Sequence, residues 1–236
     1  VENIKSKKVL TFDCYGTLID WESAIVKNIR RIWPGLNVDE DTILGWFAAA
    51  EHIIQHQNPT MTYQNVLQEV IKMIALENDL KLSEVQSVSF GASIKDWTPF
   101  VDTVEALQLL SEKFKLVIVS NIDNESIEAT KKHLKVPFYK TFTAQSIGAY
   151  KPDHQVFTYV FEDLAEDGYS KSDILHIAES LYHDHVPAKE MGFNSVWINR
   201  RFAKIGSGAT PSVSQAYVPD LVFNDLISFA RWVTQL

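Results

Sequence analysis

The sequence predicts an α/β fold: a mostly parallel sheet covered by helices on both faces, with a helical insertion after the first strand. Three observations lead there. Short apolar runs alternate with amphipathic stretches, the pattern of strands joined by crossover helices. Residues 20–97, directly after the first apolar run, carry only helical patterning. Polar residues stand immediately beyond several of the apolar runs, where a parallel sheet gathers its ligand-binding groups.

The elements follow in order. Val9–Phe12 reads as a buried strand, short and apolar and ending at a glycine-containing turn. A helix over 21–33 starts from Asp20 as N-cap and stops at Pro34-Gly35. The next begins near Thr42 with Asp41 as cap. It carries Ile43, Phe47, Ala50 and Ile54 on one face and ends by Asn58-Pro59. A third follows Thr62, with Val66, Val70 and Ile74 on one stripe, and a fourth follows Ser83. The rest alternates: strand 116–120, helix Asn124–Leu134, strand 141–144, helix 153–165, strand Ile174–Ala178, a helical turn over 187–191, strand 195–199, strand Leu221–Phe223 and helix 225–234. In Asn124–Leu134, Glu125 and Glu128 come early and Lys131, Lys132 and His133 late, an order that suits the helix dipole. The small, polar segment 203–215 reads as a mobile surface loop, with a lid over a site as the lesser reading.

Composition bounds the function. The chain has 236 residues, 46% hydrophobic and 22% charged, enough to bury a sizeable core. A net charge of −8 argues against a duplex nucleic acid as partner. Cys14 is the sole cysteine, so no intrachain disulfide forms, which is compatible with a reducing cytoplasm. Val9–Phe12 is too short for the core of a signal peptide, and no run approaches the ~18 apolar residues of a membrane span. The expectation is a cytoplasmic protein with neither membrane nor nucleic acid as partner.

Chemistry gathers beyond four strands. Asp13 follows the first, in FDCYGTL. Ser120-Asn121 ends LVIVS. Lys151 sits in YKPD, and Glu179 and Asp184 follow LHIA. Parallel topology brings these distant positions to one rim. A lysine beside a carboxylate holds it ionised. Ser and Asn groups can hold an anionic substrate, and a second carboxylate can position water. Singly, each has a structural alternative: a turn or cap aspartate, Ser-Asn turn chemistry, a solvated lysine starting a helix. Their joint occurrence in this order favours catalysis.

At these residues the whole chain resembles the haloacid dehalogenase superfamily. The resemblance implies a haloacid dehalogenase-like, Rossmannoid sheet core over 1–19 and 98–236, and a helical cap domain over 20–97. Asp13 matches the nucleophile of the first motif, Ser120 the hydroxyl of the second, Lys151 the lysine of the third and Asp184 the acid of the fourth. Phosphatases of the superfamily carry an aspartate two residues after the nucleophile, where this chain has Tyr15. A phenol, with its pKa near ~10, replaces that acid poorly. DCYGTLID is instead similar to the L-2-haloacid dehalogenase branch, which Tyr15, Thr17, Ser120, Asn121, Lys151 and Asp184 all match. That branch commonly forms homodimers.

Several positions depart from that branch. Its halide-accepting arginine becomes Trp46, and no arginine lies between Arg31 and Arg200. A tyrosine becomes Phe157, a serine Glu179 and an asparagine Leu181. Loss of a cation with gain of a carboxylate and an indole suits a cationic leaving nitrogen better than a halide. WESAI and SLYHDHVPAKEMGF are similar to the branch that hydrolyses azetidine-2-carboxylate, a four-membered cyclic amino acid, to 2-hydroxy-4-aminobutyrate. The resemblance implies an aspartyl ester on Asp13, with Ser120 and Asn121, and backbone N–H groups after Tyr15, holding the substrate carboxylate. Glu179 either holds the ring nitrogen or braces Lys151. Trp21, Trp46, Trp97 and Phe100 are candidate pocket walls, and each is also plausible as plain core.

Cys14 is expected to pack away from the site. His183-Asp184-His185 is expected to start a helix with solvated histidines rather than bind a metal, since neighbouring residues rarely converge on one ion. No cofactor is expected. The alternatives kept open are an L-2-haloacid dehalogenase, a magnesium-dependent phosphatase using Asp13, Glu179 and Asp184, and a non-catalytic protein that keeps only the fold.

Overall fold

The computed structural model describes residues 2–58, 60–204, 208–210, 213 and 219–236. In chain order the elements are α1 (Glu2–Lys5), β1 (Val9–Phe12), α2 (Trp21–Ile32), α3 (Glu40–Gln57), α4 (Tyr63–Glu77), α5 (Glu84–Ala92) and a 3-10 turn, Ser93–Asp96. Then come α6 (Thr103–Ser111), β2 (Lys115–Ser120), α7 (Asn124–Leu134), β3 (Lys140–Thr143), α8 (Ala144–Ile147), α9 (His154–Glu166) and a second 3-10 turn, Lys171–Asp173. β4 (Ile174–Ala178) leads through a π-helical turn, Leu181–His185, into α10 (Val186–Glu190), β5 (Ser195–Ile198), β6 (Leu221–Phe223) and α11 (Leu226–Thr234).

Six parallel strands form one sheet in the order β3-β2-β1-β4-β5-β6. β1 has β2 on one side and β4 on the other, so connections diverge from its carboxyl end and open a crevice there. Alternation within the strands explains why the apolar runs are continuous. Leu10, Phe12, Leu116 and Ile118 face one core, shared with Ile25, Phe47, Val70 and Trp97 of the inserted helices. Val9, Val117, Val119 and Ile174 face the other, under Val156, Val160 and Leu164 of α9. Each strand thus buries both faces, the condition for a parallel sheet.

Several boundaries differ from the sequence expectation, each for a local reason. The cap of α3 is Asp39, which accepts from the Thr42 N–H, while Asp41 sits in the first turn. Asp39 and Asp41 both satisfy the cap rule by residue type, and the extended backbone at Asp39 decides between them. α6 carries Ala106, Leu107 and Leu110 into the core and was not anticipated. Strand β3 ends at Thr143, whose hydroxyl forms a capping box with Ser146 and starts α8. α5 has the Ser83–Gln86 capping box. Thr62, by contrast, makes no side-chain cap; the Tyr63 N–H of α4 is taken by Asp123, which also caps α7.

His185 is fully buried rather than solvated. Its ring bonds to Ser195 Oγ and the Ala178 carbonyl, so it ties the π-helical turn to the sheet. Within the segment expected as a surface loop, 205–207, 211–212 and 214–215 lie outside the described residues, as does Pro59. Its described part is mixed, with Ala203 and Lys204 exposed. Ala209 and Thr210 are buried, and the Ala209 N–H donates to Glu22 of α2. Among the described residues no helix is long and apolar enough to cross a membrane.

Candidate active site

β1 ends at Phe12 and delivers Asp13 to the crevice, its backbone N–H still bonded to Ile177 of β4. The turn beyond it closes tightly. Gly16 has φ +92°, and a β-carbon there would lie 3.0 Å from the Trp21 ring nitrogen, so glycine answers both demands. The Gly16 N–H bonds to Ile19, and the Leu18 and Ile19 N–H groups both bond to Cys14. Those groups close the turn and are not free for a substrate carboxylate. Cys14 itself is fully buried in the core, and burial pushes its thiol up.

Lys151 is the centre of the site. Its ammonium lies 2.9 Å from Asp13 Oδ1, 2.7 Å from Asp184 Oδ1 and 3.1 Å from the Val119 carbonyl. Its side chain is 1% exposed. A buried ammonium survives only when paired, and here two carboxylates hold it charged. Asn121 fixes its backbone from both ends. The Asn121 side-chain carbonyl accepts from the Lys151 N–H at 2.7 Å, and its amide donates to the Lys151 carbonyl at 3.0 Å. The sequence suggested that Asn121 holds a substrate carboxylate; its amide group is instead committed to Lys151. Ser120 keeps a hydroxyl with no hydrogen-bond partner among the described residues, on the cavity wall.

Thr17 works between two motifs. Its hydroxyl accepts from the Glu179 N–H at 2.8 Å and donates to Asp13 Oδ2 at 2.6 Å. Burial pushes the Asp13 carboxyl up, opposed by Lys151 and by the Thr17 hydrogen bond. Burial also disfavours the Asp184 anion, but Lys151 and His176 overcome it and hold that carboxyl well below the usual range. Asp184 Oδ1 receives both Lys151 and, at 2.9 Å, the His176 ring, whose other nitrogen is hydrogen-bonded to the Thr11 hydroxyl. Asp184 Oδ2 has no partner among the described residues.

A small cavity, open to solvent, lies above these groups. Asp13, Ser120, Asn121, Lys151 and Asp184 form its sheet side, with Ser180 and His183 of the π-helical turn. Burial lowers the His183 imidazole to about 4, so it is neutral at pH 7. Tyr15 and Trp21 wall it, and the inserted helices add Glu51, Gln55 and Tyr63. Thr210 completes the lining. The Tyr15 hydroxyl is taken by Thr130 at 2.7 Å, and its ring stacks on Tyr63 and meets the edge of Trp97.

Four residues singled out from the sequence stand elsewhere. Trp46 is half-buried against the hydrophobic core. Trp97 is 1% exposed and supports Tyr15 from behind, its ring nitrogen donating to Ser93. Glu179 lines a neighbouring cavity with Phe100, Glu22 and Arg201, separated by Trp21, and makes no contact with Lys151. Burial, with Glu22 and Asp13 nearby, pushes its carboxyl up to about 8.

Conversely, Glu51 and Tyr63 were not anticipated. The signal was present: Glu51 lies four residues after Phe47 and three before Ile54, on the apolar face of α3. His176 also left a mark, as the one polar residue in ILHIA. Arg200 left none. It donates to the Thr17 carbonyl and Asp102 and lies 4.1 Å over the Phe100 ring, bracing the turn that carries Asp13.

The donors do not assemble a magnesium site. Both Asp13 oxygens have donors, Lys151 stands between Asp13 and Asp184, and Glu179 is turned toward the other cavity. Among the described residues no three His, Cys, Asp or Glu side chains gather in a geometry that holds a metal ion.

Known proteins resemble this chain over most of its length. The (S)-2-haloacid dehalogenase 4A of Burkholderia cepacia is 23% identical over 209 residues, covering 84% of this chain and 85% of that protein. The rhythmically expressed gene 2 protein of Drosophila melanogaster is 23% identical over 218 residues, covering 82% of this chain and 84% of that one. Among solved structures, the L-2-haloacid dehalogenase of Xanthobacter autotrophicus with chloropropionic acid covalently bound superposes with a TM-score of 0.77, at 20% identity, over 96% of this chain and 98% of that one. The HAD-hydrolase YfnB of Bacillus subtilis bound to magnesium gives 0.74, at 17% identity, over 96% and 98%. A family model for haloacid dehalogenase-like hydrolases matches residues 7–192. That span runs from the approach to β1 past α10 and includes every carboxylate around Lys151, so the chain is an enzyme of the haloacid dehalogenase-like hydrolase family.

Proposed function

We propose that the enzyme substitutes at C2 of a small 2-substituted carboxylic acid through an ester on Asp13, and that the substrate is L-azetidine-2-carboxylate. The observation that carries the reading is the charge of the cavity wall. Among the described lining residues Lys151 is the one side chain charged positive at pH 7, and two carboxylates already occupy it. A departing halide needs a free cation, and the inserted helices present Glu51 instead. Tyr15, with its hydroxyl held by Thr130, offers no acid for a phosphate leaving group.

In this mechanism an Asp13 oxygen attacks C2 as the C2–N bond breaks. The bonding electrons go to nitrogen, the strained ring opens and C2 inverts. Water then adds to the Asp13 carboxyl carbon and releases 2-hydroxy-4-aminobutyrate, regenerating the carboxylate. Lys151 and Thr17 keep Asp13 oriented and anionic. The free Oδ2 of Asp184 accepts a hydrogen bond from the water and orients it. The Ser120 hydroxyl holds the substrate carboxylate. The helical segment 20–97 serves as the cap that closes the pocket. This reading makes the enzyme resemble L-azetidine-2-carboxylate hydrolase more than the haloacid dehalogenases whose fold it shares.

A single turnover in heavy-oxygen water tests the mechanism. The label is expected in Asp13 and not in the first product, because the product hydroxyl derives from the Asp13 carboxylate. Label appearing directly in product overturns the ester, and an active Asp13→Asn variant would do the same. Product analysis separates the leaving groups: 2-hydroxy-4-aminobutyrate from the cyclic amino acid, or halide from L-2-chloropropionate.

A further inference from the structure

Glu51 is a carboxylate without a cation. It projects from α3 into the cavity that Asp13 also lines, on the wall supplied by the inserted helices. It is 5% exposed, and its one hydrogen-bond partner among the described residues is the Tyr63 hydroxyl, which donates to Oε1. No lysine, arginine or histidine acts on it, and burial raises its carboxyl to about 7. Buried acids in proteins are normally paired or held by several donors. Tyr63 is itself held firmly. Its N–H bonds to Asp123 at 3.0 Å, and its ring stacks on Tyr15, 6.4 Å between centroids and 28° between planes. The acid is thus fixed in place while its charge is left uncompensated. Such an arrangement is a functional-site signature when it faces a ligand cavity.

The geometry points to Glu51, positioned by Tyr63, as the residue that selects substrates carrying a cationic nitrogen, by forming an ion pair with the azetidinium nitrogen while Asp13 faces C2 from the sheet side. This rests on the ring-opening reading and deepens it. The role that the sequence offered to Glu179 passes to Glu51, because Trp21 stands between Glu179 and the cavity above Asp13. The division of labour also follows charge. The Ser120 hydroxyl holds the carboxylate end of the substrate on the sheet side, and Glu51 attracts the ammonium end toward the inserted helices. A zwitterion would then have one preferred orientation.

The test compares two ligands of nearly equal shape, L-azetidine-2-carboxylate and cyclobutanecarboxylate, which lacks the nitrogen. Calorimetric titration of the full-length Asp13→Asn protein measures binding without turnover. It is expected to bind the azetidine at least about tenfold tighter, as for a charge-assisted hydrogen bond. Adding Glu51→Gln should bring the two affinities to within about twofold, and adding Tyr63→Phe should reduce the preference in part. A structural role for Glu51 would weaken both ligands alike and leave their ratio intact, so an intact ratio overturns the assignment. Turnover by the wild-type enzyme separates the two failures. If it opens the azetidine ring while Glu51→Gln keeps the ratio, ring opening stands and Glu51 falls. If it forms no 2-hydroxy-4-aminobutyrate, the ring-opening reading falls and Glu51 falls with it.

Discussion

Glu51 shows how a functional side chain acts against stability. In the unfolded chain it titrates near its ordinary 4.5, whereas in the fold it titrates at about 7, because burial disfavours the anion more than the Tyr63 hydrogen bond favours it. Between those values the folded state keeps a proton that the unfolded state releases. Stability is therefore full below pH 4.5 and is lost as pH rises through 7. Glu51→Gln keeps the shape and an acceptor for Tyr63 but has no proton to lose. The variant should gain on the wild type as pH rises from 4.5 to 8, by on the order of 2–3 kcal/mol at most. Urea unfolding at the two pH values measures it, and an equal gap at both would show that the Glu51 charge is not the cause. Asp184 shows the opposite balance. It too is buried, yet Lys151 and His176 supply enough compensation to keep it ionised well below the usual range.

Asp123 joins elements rather than merely capping one. One oxygen accepts from the Ser126 N–H at the start of α7, and the other accepts from the Ser126 hydroxyl and from the Tyr63 N–H at the start of α4. The inserted helices are thereby registered to the sheet-side helix beside Ser120 and Asn121. Asp123→Ala removes an N-cap and leaves the buried Tyr63 N–H without its acceptor. The expected destabilisation is about 2–4 kcal/mol. Faster hydrogen exchange at the Tyr63 amide should accompany it, since the same change frees the first turn of α4. A loss under about 0.5 kcal/mol, the range of an ordinary surface substitution, would deny the link. The π-helical turn plays a similar part at the other side of the site. Ser180 caps it through the His183 N–H, and His185 anchors it, so that Asp184 is held with Oδ1 toward Lys151.

At the scale of the whole molecule, the parallel sheet brings together residues from β1, β2, the β3–α9 connection and the turn after β4. Among these charges Lys151 stands where carboxylates would otherwise repel one another. One consequence concerns metal. Because Asp13 and Asp184 are satisfied by Lys151, activity is expected to survive dialysis against a chelator. Activity lost on dialysis and restored by magnesium would require a different arrangement of Glu179 and Asp13 from the one seen here. A second consequence concerns the 203–215 segment. Its buried part, Ala209 and Thr210, is held by Glu22 and reaches the cavity wall, so a stretch that is small and polar in sequence contributes to the site.

The alternation of strands and helices, and the arrival of Asp13 and Lys151 at one rim, were legible from the sequence because they are local or topological. An apolar run of four or five residues ending in a polar one is a strand delivering a side chain to a rim, whatever surrounds it. A serine, asparagine or lysine after the next strands must arrive at that same rim. Tyr15, two residues beyond Asp13, could be read the same way. What the sequence could not decide is which side of a wall a side chain occupies. Glu179 and Asp184 lie in one short motif, yet Trp21 separates them into two cavities. Asn121 carries the right chemistry for a substrate and spends it on Lys151. Glu51, an acid on an apolar helix face, becomes part of the site only because α3 lies over the carboxyl end of β1. Periodicity specifies a face; the packing of one element against another, through contacts far apart in the chain, specifies what that face meets.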